Sequence, residues 1–159
     1  MIATIRGKIL QKNPPQVVVE CGGLGYEIDV PMSTFYNLPS IGEEVFLETV
    51  MIVREDAQLL YGFLTAQEKS VFRQLLKVSG IGPRISLAML SSMSAEDIGN
   101  AIANNEVGLL TMVPGIGKKT AERLVLELKD KMVVTSAPTV SSVQTEVIQA
   151  LVALGFSER

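Results

Sequence analysis

Leu76-Lys77-Val78-Ser79-Gly80-Ile81-Gly82-Pro83-Arg84-Ile85-Ser86-Leu87-Ala88 and Thr111-Met112-Val113-Pro114-Gly115-Ile116-Gly117-Lys118-Lys119-Thr120-Ala121-Glu122-Arg123-Leu124 are two versions of one pattern. Each sets Gly-Ile-Gly between two helical segments and follows it with bases at the next helix start. Two copies make an internal duplication, too few for a solenoid. Glycine permits a tight turn at positive φ and lets a second backbone come close. Ile81 and Ile116 are expected to point inward and anchor the turns. The Gly-Ile-Gly amides are expected to face outward at a helix N-terminus, where free N–H groups and the helix dipole attract an anion. Arg84, Lys118, Lys119 and Arg123 add full charges nearby. Such a site grips phosphate and reads no base edge, so binding is expected to be indifferent to nucleotide sequence.

One Gly-x-Gly between helices is an ordinary tight turn. Two, each with an aliphatic residue between the glycines and bases after them, point to nucleic acid. A dinucleotide site is disfavoured, because each Gly-Ile-Gly follows a helical pattern and not a strand. No Gly-x-x-x-x-Gly-Lys-Ser/Thr loop occurs, so ATP hydrolysis is not expected of this chain.

Around these turns the period is helical. Thr65-Ala66-Gln67-Glu68 has the form of a capping box. Val71, Phe72, Leu75 and Leu76 mark one buried face. Pro83 opens a helix carrying Ile85, Leu87, Ala88 and Leu90. Ser94 caps another, with Glu96 and Asp97 in its first turn and Ile98 and Ile102 inward. Short and longer helices are expected over 107–113 and 118–131.

Before residue 64 the period is near two. Alternation from Met1 to Ile9, the Val17-Val18-Val19 run, Gly25 to Val30, Val45 to Val53 and Gln58 to Phe63 give five short strands, broken at Asn13-Pro14-Pro15, Gly22-Gly23 and Pro39 to Gly42. Five strands with turns between them predict a small barrel, an OB-like one among the options. The fold class is therefore α+β multidomain. A barrel domain is expected over 1–63, a tandem helix-hairpin-helix domain over 64–134 and a linker over 135–143. The first helix of a small third domain follows over 144–159, stopped by Gly155. One helix cannot cover the apolar face formed there by Val147, Ile148, Leu151 and Leu154.

Composition fits this division. Apolar residues make up 47% of the 159, and net charge is −3. The charge is uneven. Residues 1–63 hold four bases against eight acids, 64–134 nine against seven, and 135–159 one against two. Only the hairpin segment is positive, so one face could meet nucleic acid and another repel it. No stretch of about 18 apolar residues suggests a membrane span, and the start lacks the order of a secretory signal. Cys21 has no partner cysteine, which fits a cytoplasmic home. With no His to activate it, Cys21 is expected to be a small apolar strand residue and not a nucleophile.

Three segments resemble the RuvA family. Pro114 to Leu124 is similar to its second hairpin, Val53-Arg54-Glu55-Asp56-Ala57-Gln58-Leu59-Leu60-Tyr61-Gly62-Phe63 to its acidic-pin segment, and Gly22-Gly23-Leu24-Gly25-Tyr26-Glu27 to an early barrel turn. The similarity runs from Met1 to about residue 134. It implies an OB-like barrel, a helical domain with two helix-hairpin-helix motifs and a small third domain. It also implies a homotetramer, one or two face to face, that holds a four-way (Holliday) DNA junction during recombination and repair. The third domain would meet a RuvB-type ATPase motor, here through Val147, Ile148, Leu151 and Leu154. Residues matching the DNA contacts are Gly80, Ile81, Gly82, Arg84, Gly115, Ile116, Gly117, Lys118, Lys119 and Arg123. Glu55 and Asp56 match the acidic pin. Family members usually continue through three helices in the third domain, and only the first is present here. No cofactor or metal is implied, and no catalytic residue.

Two carboxylates at a hairpin tip repel phosphate by roughly 1 kcal/mol per close pair in water. Fourfold symmetry would gather a ring of such acids, which would push strands apart at a crossover and keep plain duplex off the centre. A paired-carboxylate hydrolase is disfavoured, because Glu55 and Asp56 are expected to be neighbours on a strand and so to point to opposite faces. Two other classes stay open: a hairpin-bearing glycosylase or nuclease, for which no carboxylate cluster is evident, and a protein–protein adaptor whose turns only pack helices.

Overall fold

The computed structural model describes residues 1–132. The expectations for 135–143 and 144–159, with Val147, Ile148, Leu151 and Leu154, lie outside the described residues. Five strands form first: β1 (Thr4–Asn13), β2 (Gln16–Cys21), β3 (Leu24–Asp29), β4 (Glu44–Val53) and β5 (Gln58–Phe63). They close into a barrel in the order β1-β2-β3-β5-β4, β1 pairing β4 from Thr4↔Glu48 to Lys8↔Glu44. All pairs are antiparallel except β3 with β5, which meet in parallel at Asp29↔Tyr61. This order settles the choice among five-stranded barrels that composition left open, in favour of an OB-like one.

The alternation holds where the chain is paired. Ile5, Ile9, Val17, Val19, Ile28, Val30, Val45 and Leu47 fill the barrel. Met1 and Ala3 continue the sequence pattern but precede β1 and are exposed. Gly22 (φ 60°) and Gly23 (φ 84°) both take positive φ, which a two-residue type I′ hairpin requires. Cys21 is a strand residue as expected, but it is exposed at the strand end and not apolar filling.

A helix with no sequence signal, α1 (Met32–Tyr36), bridges β3 and β4. Then follow α2 (Ala66–Leu76), α3 (Pro83–Ser92), α4 (Ala95–Ala103), α5 (Val107–Leu110) and α6 (Lys118–Leu128). Thr65 Oγ1 accepts the Glu68 N–H at 3.2 Å and Ser94 Oγ the Asp97 N–H at 3.0 Å. Two helices are shorter than the pattern predicted. α5 stops at Leu110, where Thr111 to Val113 turn toward the second hairpin, and α6 stops at Leu128, with Lys131 and Met132 N–H both returning to the Leu128 carbonyl. α3 buries Ser86, Met89 and Leu90, whereas Ile85, Leu87 and Ala88 are only half-buried.

The barrel and the helices share one apolar seam. Val50, Tyr61 and Phe63 belong to the same buried cluster as Val71, Phe72, Leu75, Ile98, Leu110 and Leu124. The Phe72 ring lies 4.9 Å from Phe63 and 5.1 Å from Tyr61. Polar bonds cross the same seam. The Glu68 carboxylate accepts from Ser33 Oγ at 3.2 Å and Thr34 Oγ1 at 3.1 Å, instead of returning to the Thr65 N–H as a full capping box would. Lys69 Nζ meets Glu48 at 3.2 Å and the Ala3 carbonyl at 2.9 Å. The Met32 N–H donates to Ser91 Oγ at 3.0 Å.

Candidate nucleic-acid interface

The two glycine turns have the same geometry. The Ile81 N–H donates to the Val78 carbonyl and the Ile116 N–H to the Val113 carbonyl, each at 3.1 Å. Gly80 (φ 88°) and Gly115 (φ 90°) hold the third position of each turn. A bond from first to fourth residue with positive φ at the third is a type II β-turn, and Pro114 at the second position suits it. Ile81 and Ile116 point inward as expected, each 5% exposed. Their amides are therefore used inside the turns and do not join the outward set.

The second glycine of each pair differs from expectation. Gly82 (φ −98°, ψ −179°) and Gly117 (φ −88°, ψ 173°) are N-caps of α3 and α6 in extended backbone that any residue can adopt. A methyl group added at either would meet no atom within 4 Å. At Gly62, by contrast, it would come within 2.7 Å of Ile28. Neither backbone conformation nor internal packing calls for glycine at 82 or 117. What an absent side chain does there is leave the amides open to close approach from outside.

The helix ends agree. α2 and α4 are capped by the hydroxyls of Thr65 and Ser94, whereas α3 and α6 have no side-chain cap. Among the described residues, no acceptor takes the N–H groups of Gly82, Arg84 and Ile85, or of Gly117, Lys118, Lys119 and Thr120. A helix start without such partners leaves its N–H groups free for water or for an anion. Arg84, Lys118, Lys119 and Arg123 are exposed, and none is in an ion pair among the described residues.

The turns interlock. Arg123 on α6 donates from Nη1 to the Ser79 carbonyl of the first turn at 3.3 Å. A methyl at Gly115 in the second turn would sit 3.7 Å from Ile85 on α3. Each turn thus rests against the helix that follows the other. The structure brings both sets of free amides and their bases together. Sequence spacing identified these residues but not the Ser79–Arg123 link, because a partner 44 residues away leaves no local pattern.

Glu55 and Asp56 sit apart from the turns. They are exposed in the loop between β4 and β5, closed by Arg54 N–H to the Ala57 carbonyl at 2.7 Å. They are not strand neighbours, so the opposite-face argument does not apply. Both carboxylates share one loop tip. Among the described residues there is no group of three or more His, Cys, Asp or Glu placed to hold a metal, and no helix long and apolar enough to cross a membrane.

Fold and site together define a tandem helix-hairpin-helix protein built on an OB-like barrel. Residues 1–62 match the family described as RuvA N terminal domain, and residues 72–130 match the SAM-like Helix-hairpin-helix tandem. The chain is 57% identical over 164 residues to a protein of Ralstonia pickettii, 55% over 162 to one of Polaromonas sp. and 57% over 162 to one of Delftia acidovorans. Each alignment covers all of this chain and 85% of the relative, and each relative is named Holliday junction branch migration complex subunit RuvA. This chain belongs to the RuvA family.

Proposed function

We propose that this chain binds four-way DNA junctions independently of sequence and holds them open for a partner motor in recombination and repair. One observation carries the reading: two helix N-termini, each without a side-chain cap at a glycine that no packing among the described residues requires, lie beside four bases that make no ion pair among the described residues. The names of the relatives supply the nucleic-acid class. Gly80, Gly82, Gly115 and Gly117 admit a sugar-phosphate backbone. Free amides there donate to phosphate oxygens, as a helix start does to any anion. Arg84, Lys118, Lys119 and Arg123 neutralise neighbouring phosphates, releasing counterions. Ile81 and Ile116 hold the turns in shape from beneath.

The remaining roles rest on family likeness. Four copies around one axis would present four pairs of turns to four arms, with Glu55 and Asp56 of every copy ringing the centre. Acids there repel a continuous duplex and favour a crossover whose strands have already parted. The chain acts in the cytoplasm as a non-catalytic subunit, and a RuvB-type ATPase supplies the energy. Val147, Ile148, Leu151 and Leu154, outside the described residues, are proposed to meet the motor.

The test is a gel-shift comparison of a four-way junction with duplex of the same sequence, with solution mass measured alongside. The expected result is tighter binding to the junction and a mass shift to a four-copy complex. Equal affinity for both substrates would remove the proposal. Cleavage of a labelled junction in Mg²⁺ would replace it with a nuclease.

A further inference from the structure

We propose that Glu68 is a positioning residue: it clamps the barrel to the helical domain, and so sets where the acidic loop stands relative to the glycine turns. The inference rests on the junction-binding reading above and adds a specificity determinant to it.

Glu68 lies in the first turn of α2 and would serve a local capping box if it turned back on Thr65. Instead its two carboxylate oxygens reach separate residues of α1, Oε1 to Ser33 and Oε2 to Thr34. Thr34 is 1% exposed, so one of these bonds is made inside the seam. The Ser33 hydroxyl also lies 3.2 Å from the Leu90 carbonyl of α3, and the Met32 N–H reaches Ser91. α1 belongs to the barrel's chain, whereas α2 and α3 belong to the helices that carry the first turn. Glu68 is therefore the anchor on α2 of a polar clasp that grips α1, beside the separate Lys69 contacts.

Apolar burial holds the parts together but is non-directional. The Phe63–Phe72–Tyr61 cluster resists separation more than rotation. Hydrogen bonds with fixed donors and acceptors resist rotation. The acidic loop magnifies any slack. From Ile52, the last residue of β4 packed against the seam, to Glu55 at the tip is three residues, roughly 10 Å of extended chain. Over that lever a tilt of about 10° moves the tip by ~2 Å, a large part of a hydrogen-bond length. A loosened clasp would spread the repulsive charges over positions where they no longer separate a crossover from a straight duplex. The turns, built within the helical domain, would be untouched.

The experiment compares the whole chain with Glu68→Ala and Glu68→Gln for affinity to a four-way junction and to duplex. Glu68→Ala is expected to reduce the preference for the junction about three- to tenfold, the scale of one hydrogen bond, with duplex bound no more weakly than by wild type. Glu68→Gln keeps an acceptor and should recover most of the preference. Because Glu68→Ala could destabilise the fold, Ser33→Ala with Thr34→Val breaks the same clasp from the other side and should give the same ratio. Spin labels at Glu55→Cys and Lys118→Cys, with Cys21→Ser, should show a broadened distance distribution when the clasp is cut. An unchanged preference, an equal loss on both substrates or an unchanged distance distribution overturns the inference. A wild-type chain without preference for junctions would overturn the proposed function instead, and the distance measurement reads the clasp independently of DNA.

Discussion

Alanine at Gly117 and alanine at Gly115 should have opposite consequences, though only one residue separates them. At Gly115 the backbone has φ 90°, where a Cβ crowds the neighbouring carbonyl at a cost of about 1–2 kcal/mol. The added methyl would meet Ile85 at 3.7 Å, an ordinary contact that neither helps nor hurts. Gly115→Ala should lower the melting temperature by roughly 2–8 °C for a chain of this size. At Gly117 the backbone is extended and the methyl meets nothing. Alanine is a poorer N-cap than glycine by a few tenths of a kcal/mol or somewhat more. It also removes about 0.4–1 kcal/mol of unfolded-chain freedom. These two effects nearly cancel, so Gly117→Ala should melt within about 2 °C of wild type. Its cost should fall on binding. A methyl among free amides displaces a phosphate from charge-assisted bonds worth about 1.5–3 kcal/mol, roughly a ten- to hundredfold loss of affinity. Calorimetry and fluorescence anisotropy on both variants decide the matter. If Gly117→Ala is destabilised like Gly115→Ala while still binding DNA as wild type does, the glycine serves the fold and the reasoning fails.

Other outcomes follow from the same geometry. Replacing Lys118 and Lys119 by Ala should flatten the plot of log affinity against log salt by about 0.9 for each duplex phosphate left without its base; an unchanged slope removes them from the interface. Glu55→Gln with Asp56→Asn should tighten binding to plain duplex, and weaker binding in the same titration would contradict the repulsion. Ser94→Ala should cost about 1 kcal/mol in urea denaturation with no change in DNA affinity, because its helix end is already closed by the Ser94 hydroxyl and offers no free amide there. Phe72→Ala, which empties the shared seam, should cost about 3–5 kcal/mol in the same assay; a loss below about 1 kcal/mol would mean that the seam is loosely packed.

What the sequence disclosed follows the range of the forces involved. Strand alternation, the Thr65 and Ser94 caps and the inward isoleucines are set by neighbours within a few residues, and all are legible. So is the duplication, since each turn carries its own glycine at positive φ. α1 is not, because five residues are too few for a helical period and Pro31 offers no side-chain cap. α5 and α6 are shorter than their apolar pattern because tight turns follow Leu110 and Leu128, and apolar spacing alone does not tell a turn from one more turn of helix. The parallel meeting of β3 with β5 rests on a single register pair, Asp29↔Tyr61, and strand order is a property of the closed barrel, not of any one strand. The candidate residues are legible as a set but not as an arrangement. That Arg123 turns back to Ser79 depends on contact between copies of the repeat, whereas the amides of Ile81 and Ile116 are used within their own turns. Glu68 misleads for the same reason: its capping-box spacing is local, and its real partners lie in the barrel.

The bare ends of α3 and α6 also say how this protein would respond to being made more robust. A designer guided by melting temperature would go first to Gly82 and Gly117, because Asp there would cap two open helix starts and sit well with their dipoles. Each change would place a carboxylate where the chain now offers vacant amides, so the gain in heat resistance would arrive as a loss of grip. Marginal stability at those two ends is the condition under which the molecule works, and selection for hardiness alone would erase it.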